Sequence, residues 1–187
     1  TQTILSGVQV TGSAAVLSDY NGFAVACSGG NDGEALATPA NGTAPFSYAW
    51  SDGSTSPAVQ NLAAGNYSVT FTDANGCSGT ASVILDEPPP VEPVIDASDP
   101  TCQNAGIIRV QQVTGGTSPY TVRLVQDIGV TNGSQPLDFS TLDAGTFEVE
   151  VTDANGCKAV EAVVLLPAEV IEEFVSDTFD INKGDTI

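Results

Sequence analysis

The residues with the most defined chemistry in this sequence are its four cysteines, which fall into two pairs of similar spacing. The positions of Cys27 and Cys77 differ by 50 (77 − 27), and those of Cys102 and Cys157 differ by 55 (157 − 102). Four cysteines allow three pairings. The matched intervals favour Cys27–Cys77 and Cys102–Cys157, and closing a loop of this length stabilises a module by about 4 kcal/mol in the chain-entropy model. Because disulfides persist outside the cytosol, this pairing predicts an extracellular protein.

Two other roles for the cysteines remain open. They could be buried thiols of a cytosolic protein, or ligands of a zinc ion. Zinc sites use histidine or closely spaced cysteines, and the sequence contains no histidine and no Cys-x-x-Cys pair. The sequence therefore favours disulfides over both alternatives.

Each cysteine pair lies within one copy of a tandem repeat. Residues 62–77 and 142–157 are identical at ten of sixteen positions, and their numbering differs by 80 throughout (142 − 62). Repeats of this kind supply length or valency rather than one reaction centre. We predict a first repeat at residues 20–87, a linker at 88–93 and a second repeat at 94–167. Residues 1–19 and 168–187 are predicted to be extensions or parts of neighbouring modules.

The apolar residues of both repeats alternate with polar ones, which predicts short β-strands rather than helices. An Asp-Ala-Asn-Gly segment at 73–76 and again at 153–156 separates two such runs and predicts a tight hairpin of type I′. Short strands with frequent turns are typical of antiparallel sandwiches. The predicted strands are Gly22–Cys27, Glu34–Thr38, Phe46–Trp50, Ala58–Leu62, Asn66–Thr72, Gly79–Leu85, Gly106–Gln112, Tyr120–Gln126, Leu137–Leu142, Thr146–Thr152 and Ala159–Leu165.

The linker and the two ends differ in composition from the repeats. Three consecutive prolines, Pro88 to Pro90, favour an extended conformation of residues 86–93, which at about 3.1 Å per residue gives a spacer of roughly 25 Å that would hold the modules apart. Further strands are predicted outside the repeats, at Thr3–Val10, Ala14–Leu17 and Val170–Val175. They belong either to neighbouring modules or to a strand-addition contact with another subunit, which would build a filament.

Composition excludes several classes of function. The chain carries 23 acidic and only 4 basic residues, a net charge of −19, so it lacks the cations that would neutralise the phosphates of a nucleic acid. Without histidine, Ser-His-Asp and Cys-His catalysis cannot be assembled. No run of about 20 apolar residues, the length needed to cross a bilayer, is present. We therefore predict neither an enzyme nor membrane insertion.

Two kinds of ligand site are compatible with the loops and aromatic residues. Asp32, Asp73 and Asp153 lie in loops that offer oxygen ligands for calcium, although none completes an EF-hand and Asp is also an ordinary turn former. Trp50 and Tyr48 could form a stacking platform for a carbohydrate. For Trp50, which lies between the two cysteines of the first repeat, we favour a place in the sandwich core over such a platform.

The repeat motifs together resemble the SprB-type repeats of surface adhesins from gliding bacteria of the Bacteroidetes. The resemblance rests on four segments of the first repeat and their partial copies in the second. These segments are Cys27–Gly33, Gly42–Gly53, Leu62–Tyr67 and Thr72–Cys77, with Gly115–Tyr120 and the final Cys157 motif in the second repeat. The second repeat lacks the tryptophan and is a divergent copy.

The resemblance implies immunoglobulin-like modules in a secreted protein of the bacterial cell surface. Together with the repeat and the cysteine spacing, it predicts two tandem immunoglobulin-like sandwiches, each with one disulfide. It also implies type IX secretion, a connection to gliding motility, and neither catalytic residues nor cofactors. Asp185-Thr186-Ile187 resembles an O-glycosylation site of the same bacteria, with Thr186 as acceptor.

The function expected from these observations is a structural and adhesive display module, a segment of a surface adhesin or fibre stalk. The alternatives are a self-assembling filament subunit and a carbohydrate-binding module. The expected partners are neighbouring modules or subunits of the same protein, and surface polysaccharide.

Overall fold

The computed structural model describes residues 9–125, 130–131 and 137–168. Every regular element in these ranges is a β-strand, and every strand pairing is antiparallel. The strands are β1 (Gly12–Val16), β2 (Gly33–Pro39), β3 (Ser47–Trp50), β4 (Ala58–Leu62), β5 (Gly65–Thr72), β6 (Ser78–Leu85), β7 (Glu92–Ser98), β8 (Gly106–Thr114), β9 (Thr121–Leu124), β10 (Val130–Thr131), β11 (Leu137–Leu142), β12 (Gly145–Thr152) and β13 (Lys158–Leu165).

The first six strands form two sheets that enclose one core. One sheet has the order β1-β2-β4 and the other β3-β5-β6. Alternate side chains of most strands point inward, as the pleat requires; in β5, for example, Val69 and Phe71 are buried while Ser68 and Thr70 are not. Trp50 and Leu85 belong to the same buried cluster.

The second repeat folds in the same way. Its sheets have the orders β7-β8-β11 and β10-β9-β12-β13. The core consists of inward-facing residues of both sheets, including Ile108, Val122, Leu124, Val149 and Leu165. The sheets of the two repeats correspond because the two sequences share the same alternation of apolar residues.

Strand order identifies the sandwich type. An immunoglobulin-like domain pairs strands A, B and E in one sheet and C, F and G in the other, and both repeats have this order. The predicted all-β class with two immunoglobulin-like sandwiches is therefore confirmed. Two local features agree with it: Trp50 is buried on the third strand, and the Tyr67 hydroxyl at the start of β5 donates to the Ala63 carbonyl at 3.0 Å.

The hairpins at the two Asp-Ala-Asn-Gly segments are present, but their turn type differs from the prediction. A type I′ turn needs positive φ at both central residues. Here Gly76 has a φ of 82° and Gly156 a φ of 88°, whereas neither asparagine has a positive φ. The Gly76 amide donates to the Asp73 carbonyl at 3.0 Å, so each hairpin is a type I turn followed by a glycine in the left-handed region.

The predicted strand Gly22–Cys27 is not a strand. Its backbone donors bond to the chain leaving β6 instead of to a sheet neighbour: the Val25 amide donates to the Asp86 carbonyl at 3.0 Å and the Ala24 amide to Asp86 Oδ1 at 3.0 Å. Two other strands enlarge the repeats, since β1 pairs with β2 and β7 with β8. The predicted strand Val170–Val175 and most of Thr3–Val10 lie outside the described residues.

The proline-rich segment does not hold the modules apart, contrary to the spacer prediction. Pro88 is buried, and the Pro89 carbonyl accepts a hydrogen bond from the Gly116 amide at 2.7 Å. The Pro90 carbonyl lies against Gly115, so closely that a Cβ on this glycine would clash with it. Proline keeps its carbonyl as an acceptor although it lacks an N–H, and the segment uses it to dock onto the second module before β7 begins at Glu92.

Candidate functional site: a disulfide-bonded junction between the repeats

One disulfide joins the two modules. It links Cys27 to Cys157, with the two Cα atoms 5.5 Å apart and a sequence separation of 130. Cys77 and Cys102 are free thiols, the first half-buried and the second exposed. The predicted pairs Cys27–Cys77 and Cys102–Cys157 are therefore wrong.

The position of each cysteine along the last strand explains the error. Cys77 directly precedes β6, whereas Cys27 lies beyond the other end of that strand, where the Gly29 amide donates to Glu87 Oε2 at 2.8 Å. An eight-residue strand extends about 26 Å, and a disulfide requires Cα atoms within about 7 Å. The two cysteines of the first repeat cannot meet.

The second repeat repeats this separation. Cys157 precedes β13, while Cys102 lies in the loop at the opposite end, where Asp99 Oδ1 accepts a hydrogen bond from the Leu166 amide at 2.8 Å. Each module thus carries one cysteine at either end. The contact that brings two cysteines together is between the end of one module and the beginning of the next.

The hairpin that carries Cys157 is held by a single carboxylate. Asp153 Oδ1 accepts from the amides of Asn155 at 2.9 Å and Cys157 at 2.8 Å, and its Oδ2 accepts from the Thr117 amide at 2.8 Å. Asp153 is 6% exposed. Three backbone donors on one carboxylate fix the turn, and they direct Cys157 toward the neighbouring module.

The first repeat has the same hairpin at Asp73. Its Oδ1 accepts from the amides of Asn75 and Cys77, both at 2.9 Å, and its Oδ2 accepts from the Thr43 amide at 3.1 Å. The hydrogen bond from Thr43 is the largest of the effects that lower the pKa of Asp73 below its usual value. The hairpin geometry is therefore a property of the repeat and does not depend on the disulfide.

Asn155 adds side-chain hydrogen bonds across the junction. Its Nδ2 donates to the Ala26 carbonyl at 3.2 Å and the Tyr20 carbonyl at 3.4 Å, and its Oδ1 accepts from Asn21 Nδ2 at 2.6 Å. Asn155 is half-buried by this contact, whereas Asn75, its counterpart in the first repeat, is exposed. At this junction the asparagine of the repeated turn is thus a contact residue between the modules.

A cleft marks the junction between the modules. It is lined by the loop of Cys27 and Ser28 and by residues 88–91 from the first module's side, and by Gly116 and residues 156–158 from the second.

Glu150 of the second module makes two ion pairs near this junction. Lys158, the residue after the bonded cysteine, pairs with Glu150 at 3.2 Å, and Arg123 pairs with the same carboxylate at 2.7 Å. The hydrogen bond from Arg123 is the main cause that lowers the pKa of Glu150 to about 2.

The predicted calcium candidates have carboxylates engaged in backbone hydrogen bonds. Asp73 and Asp153 hold their hairpins, and Asp32 Oδ1 accepts from the Ala26 amide at 3.0 Å. Among the residues that the structure describes, no group of three or more acidic or cysteine side chains is placed to hold a metal ion. Calcium binding stays a prediction of the sequence, and these three residues are not brought together.

The aromatic candidates are placed in the core. Trp50 is 4% exposed and its Nε1 donates to the Ser56 carbonyl at 2.9 Å, so it does not present a face to a carbohydrate and the platform prediction fails for it. Tyr48 is half-buried and meets Phe71 edge to face, with ring centroids 6.2 Å apart. Thr186, the glycosylation candidate, lies outside the described residues.

The comparisons with known proteins give a partial family match and distant structural likenesses. The model of the SprB repeat matches residues 25–55. No protein with a curated record matches the chain. Nothing in the described ranges forms a helix that is long and apolar enough to cross a membrane.

Two solved structures illustrate the structural likeness. The C-terminal 282-residue fragment of intimin, solved with the intimin-binding domain of its translocated receptor, is 12% identical with a TM-score of 0.40. That match covers 85% of this chain and 64% of the fragment, so the chain spans less than two thirds of it. Murine CEACAM1b is 15% identical with a TM-score of 0.31, over 84% of this chain and 98% of that one.

The segment matched by the family model contains both the junction cysteine Cys27 and the core residue Trp50. It covers the loop that receives the second module and the strands β2 and β3. The resemblance predicted from the motifs is therefore confirmed: residues 25–55 of this chain match the SprB repeat.

Proposed function

We propose that this chain is an extracellular structural and adhesive display module, a length of stalk that carries contact surfaces away from a bacterial cell. The observation that carries this proposal is the junction, where a disulfide and the hydrogen bonds of Asn155 fix one sandwich onto the end of the next. The SprB-repeat match supports a surface adhesin-type repeat. A disulfide fits an oxidising, extracellular compartment.

The course of the chain supports a role under tension. Val10 lies against Gly79 at the start of β6, so the chain enters the first module at its hairpin end. It leaves the second module after Leu165, at the end opposite to the Cys157 hairpin. Because the modules are joined end to end, the entry and the exit lie at opposite ends of the pair, as a stalk requires.

The composition supports display rather than catalysis. The described surface offers acidic loops, a high net negative charge and no histidine, and a strongly charged surface keeps an extracellular segment soluble. A surface polysaccharide remains a candidate partner, but one that does not stack on Trp50.

The experiment removes the coding segment for residues 9–168 from the source bacterium and measures attachment of the cells to glass and to polysaccharide-coated glass. We expect attachment to fall and to be restored by the wild-type segment. Antibody labelling of intact cells tests the surface location in the same strains. Attachment equal to that of the wild-type strain, with the labelled protein at the surface before deletion, would refute the adhesive role.

A matched arm tests the stalk itself. Cells that carry the Cys27→Ser/Cys157→Ser segment keep both sandwich cores but lose the covalent junction. We expect their attachment under shear flow to be weaker than that of the wild type and their static attachment to be similar, because the bond acts when the chain is pulled.

A filament subunit is the second candidate, favoured by one observation: the two free cysteines lie at opposite ends of the two-module unit. Strand addition through the chain ends, the mechanism expected from the sequence, involves segments outside the described residues and stays a prediction. The free cysteines suggest a different route to end-to-end assembly.

A further inference from the structure

We propose that the Cys77 end of one copy of this chain docks onto the Cys102 end of a second copy and forms an intermolecular disulfide. This contact would repeat the junction that the structure shows between the two modules. Every copy then carries one donor end and one acceptor end, and the product is a covalent head-to-tail chain. The inference goes beyond the display function and does not depend on it.

The donor end is the hairpin of the first module. Asp73 holds this hairpin with the same three backbone donors, at 2.9 to 3.1 Å, that Asp153 uses at 2.8 to 2.9 Å. Cys77 and Cys157 are both half-buried, although Cys77 packs in part against the core of its own module. The exposed Asn75 occupies the position of Asn155, the residue that bonds across the junction. The Cys77 hairpin therefore presents the surface that the Cys157 hairpin uses for docking.

The acceptor end is the loop of Cys102, which packs against its module at the same place as the loop of Cys27. A Cβ built on Gly33 would lie 3.3 Å from Val25 Cγ2, and one built on Gly106 would lie 3.1 Å from Pro100 Cδ. Val25 and Pro100 thus pack at the same place over the second strand of their modules. The cysteine follows two residues later in each loop.

A cleft beside Cys102 corresponds to half of the junction cleft. It is lined by residues 99–102 and by the outgoing chain at 166–168. In the junction, the loop of Cys27 and the outgoing prolines form the equivalent walls, and Gly116 and residues 156–158 of the next module complete it. At the Cys102 end, a second copy would supply the remaining walls with the Cys77 hairpin of its first module.

The acceptor loop also differs from its counterpart, and the difference sets the strength of the contact. The loop between β1 and β2 runs from position 17 to 32, whereas that between β7 and β8 runs only from 99 to 105. The shorter loop lacks equivalents of Tyr20 and Asn21, so those hydrogen bonds are not repeated. With a net charge of −19 on each copy, we expect the disulfide to hold the copies together and added salt to favour the contact.

The bond forms by oxidation of two thiols. The Cys77 and Cys102 thiols lose two protons and two electrons to a disulfide oxidant, which is reduced to two thiols; one cysteine attacks the oxidant as thiolate and the second displaces the leaving thiol from the mixed disulfide. Oxidised glutathione is the oxidant in the test below.

The experiment incubates the purified full chain, with Cys27–Cys157 intact, in a glutathione redox buffer and analyses it under non-reducing conditions. A protease that cleaves before aspartate separates all four cysteines, because it places them in peptides 19–31, 73–85, 99–126 and 153–176. We expect a ladder of oligomers in which peptide 73–85 is linked to peptide 99–126. The Cys77→Ser/Cys102→Ser variant should remain monomeric.

Mixing two single variants separates specific docking from random collision. Cys77→Ser and Cys102→Ser chains each keep one of the two thiols, so an equimolar mixture can form one heterologous and two homologous dimers. We expect the heterologous dimer to exceed the amount formed when the same mixture is oxidised in urea. Equal proportions in buffer and in urea would overturn the proposal, as would chains that stay monomeric with both thiols glutathionylated.

The outcome is independent of the adhesive role. Cells with the Cys77→Ser/Cys102→Ser segment test whether chaining contributes to attachment, whereas deletion of the whole segment tests attachment itself. Failure of the oxidation experiment would leave the two-module stalk unchanged.

Discussion

The junction disulfide predicts how the chain responds when it is pulled by its two ends. The bond closes a loop with a sequence separation of 130 from Cys27 to Cys157, and this loop contains the strands β2 to β12. A pulling force passes from the N-terminal segment through the bond to β13, so the residues in the loop carry no load. Of the strands that the structure describes, only β1 and β13 lie in this covalent path.

The length hidden by the bond follows from the chain geometry. At about 3.3 to 3.6 Å per residue, the loop of 130 residues spans about 430 to 470 Å when extended. In the folded structure the Cα atoms of Cys27 and Cys157, the two ends of this loop, are only 5.5 Å apart. Reduction of the bond should therefore add nearly the whole length to the extension at full unfolding.

The assay is single-molecule force spectroscopy of the chain tethered by its ends, with and without dithiothreitol. The Cys77→Ser/Cys102→Ser variant is used throughout, since it keeps Cys27–Cys157 and cannot form intermolecular bonds. We expect an added contour length of about 430 to 470 Å on reduction. The further change Cys27→Ser should give the long extension under both conditions, which separates loss of the bond from any other effect of the reductant.

Within-repeat pairing makes a different prediction that the same experiment would detect. Bonds between Cys27 and Cys77 and between Cys102 and Cys157 would hide about 105 residues, or about 350 to 380 Å of extended chain. The segment between Cys77 and Cys102 would then extend even in the oxidised chain. Because this alternative needs all four cysteines, it is tested on the wild-type chain as monomer. A gain in this shorter range there, or no gain in the serine double variant, would refute the reasoning.

Three further predictions concern stability and the junction. Trp50→Ala should destabilise the chain by about 3 to 5 kcal/mol in urea unfolding, because it empties a buried site, while Ile84→Ala at an exposed site should cost little; a small loss for Trp50→Ala would contradict its place in the core. The pKa of Glu150 is lowered from 4.5 to about 2 by Arg123, so the stability that ionised Glu150 contributes is complete above pH 4.5 and is lost as the pH falls through 2. In melting curves from pH 6 to 2, the melting temperature of Glu150→Gln should therefore fall less than that of the wild type. Identical pH slopes would count against the ion pair. Asn155→Ala should speed reduction of Cys27–Cys157 by dithiothreitol, since it removes hydrogen bonds across the junction, whereas Asn75→Ala in the same turn of the first repeat should not; equal rates would show that the asparagine does not hold the modules together.

Local pattern was sufficient to predict most of the strands. Ala58–Leu62 and Leu137–Leu142 have the predicted bounds, although Asn61 and Thr141, each with a positive φ, interrupt the alternation of buried residues near the end of each strand. The strand β7 was missed since its sequence, which begins Glu92-Pro93, follows three prolines, and proline is rare within sheets. It is tolerated because β7 is an edge strand, bonded only to β8. The error at Gly22–Cys27 has a similar cause: its apolar residues are buried by packing over the sandwich end, which alternation does not distinguish from a strand.

The cysteine pairing could not be predicted from the intervals. Equal spacing within each repeat is what two intramodule bonds would give, but it is also what two identical end-to-end contacts would give. The sequence did show that Cys77 and Cys157 follow a hairpin and open the last strand. It did not show that the loop of Cys27 packs beside Asp86, where that strand has ended, because this contact joins positions 62 apart in the sequence.

A bond between modules has a different physical effect from a bond within each. Each sandwich already has its own core, formed by clusters around Trp50 and Phe71 in the first and Ile108 and Val149 in the second, so an internal staple would add stability to units that can fold by packing. Closing the loop between Cys27 and Cys157 lowers the entropy of the unfolded chain by an amount equivalent to about 5 kcal/mol, close to the roughly 4 kcal/mol of a loop of about 50 residues. Counted per bond, the gain in stability therefore does not distinguish the two designs. The two designs differ in how they constrain the orientation of the modules. The side-chain contacts across the junction are the few hydrogen bonds of Asn155, and an interface with few polar contacts ordinarily permits relative motion of the domains. The bond restricts that motion, so Cys27 and Cys157 fix the relative orientation of the two modules more than the stability of either core.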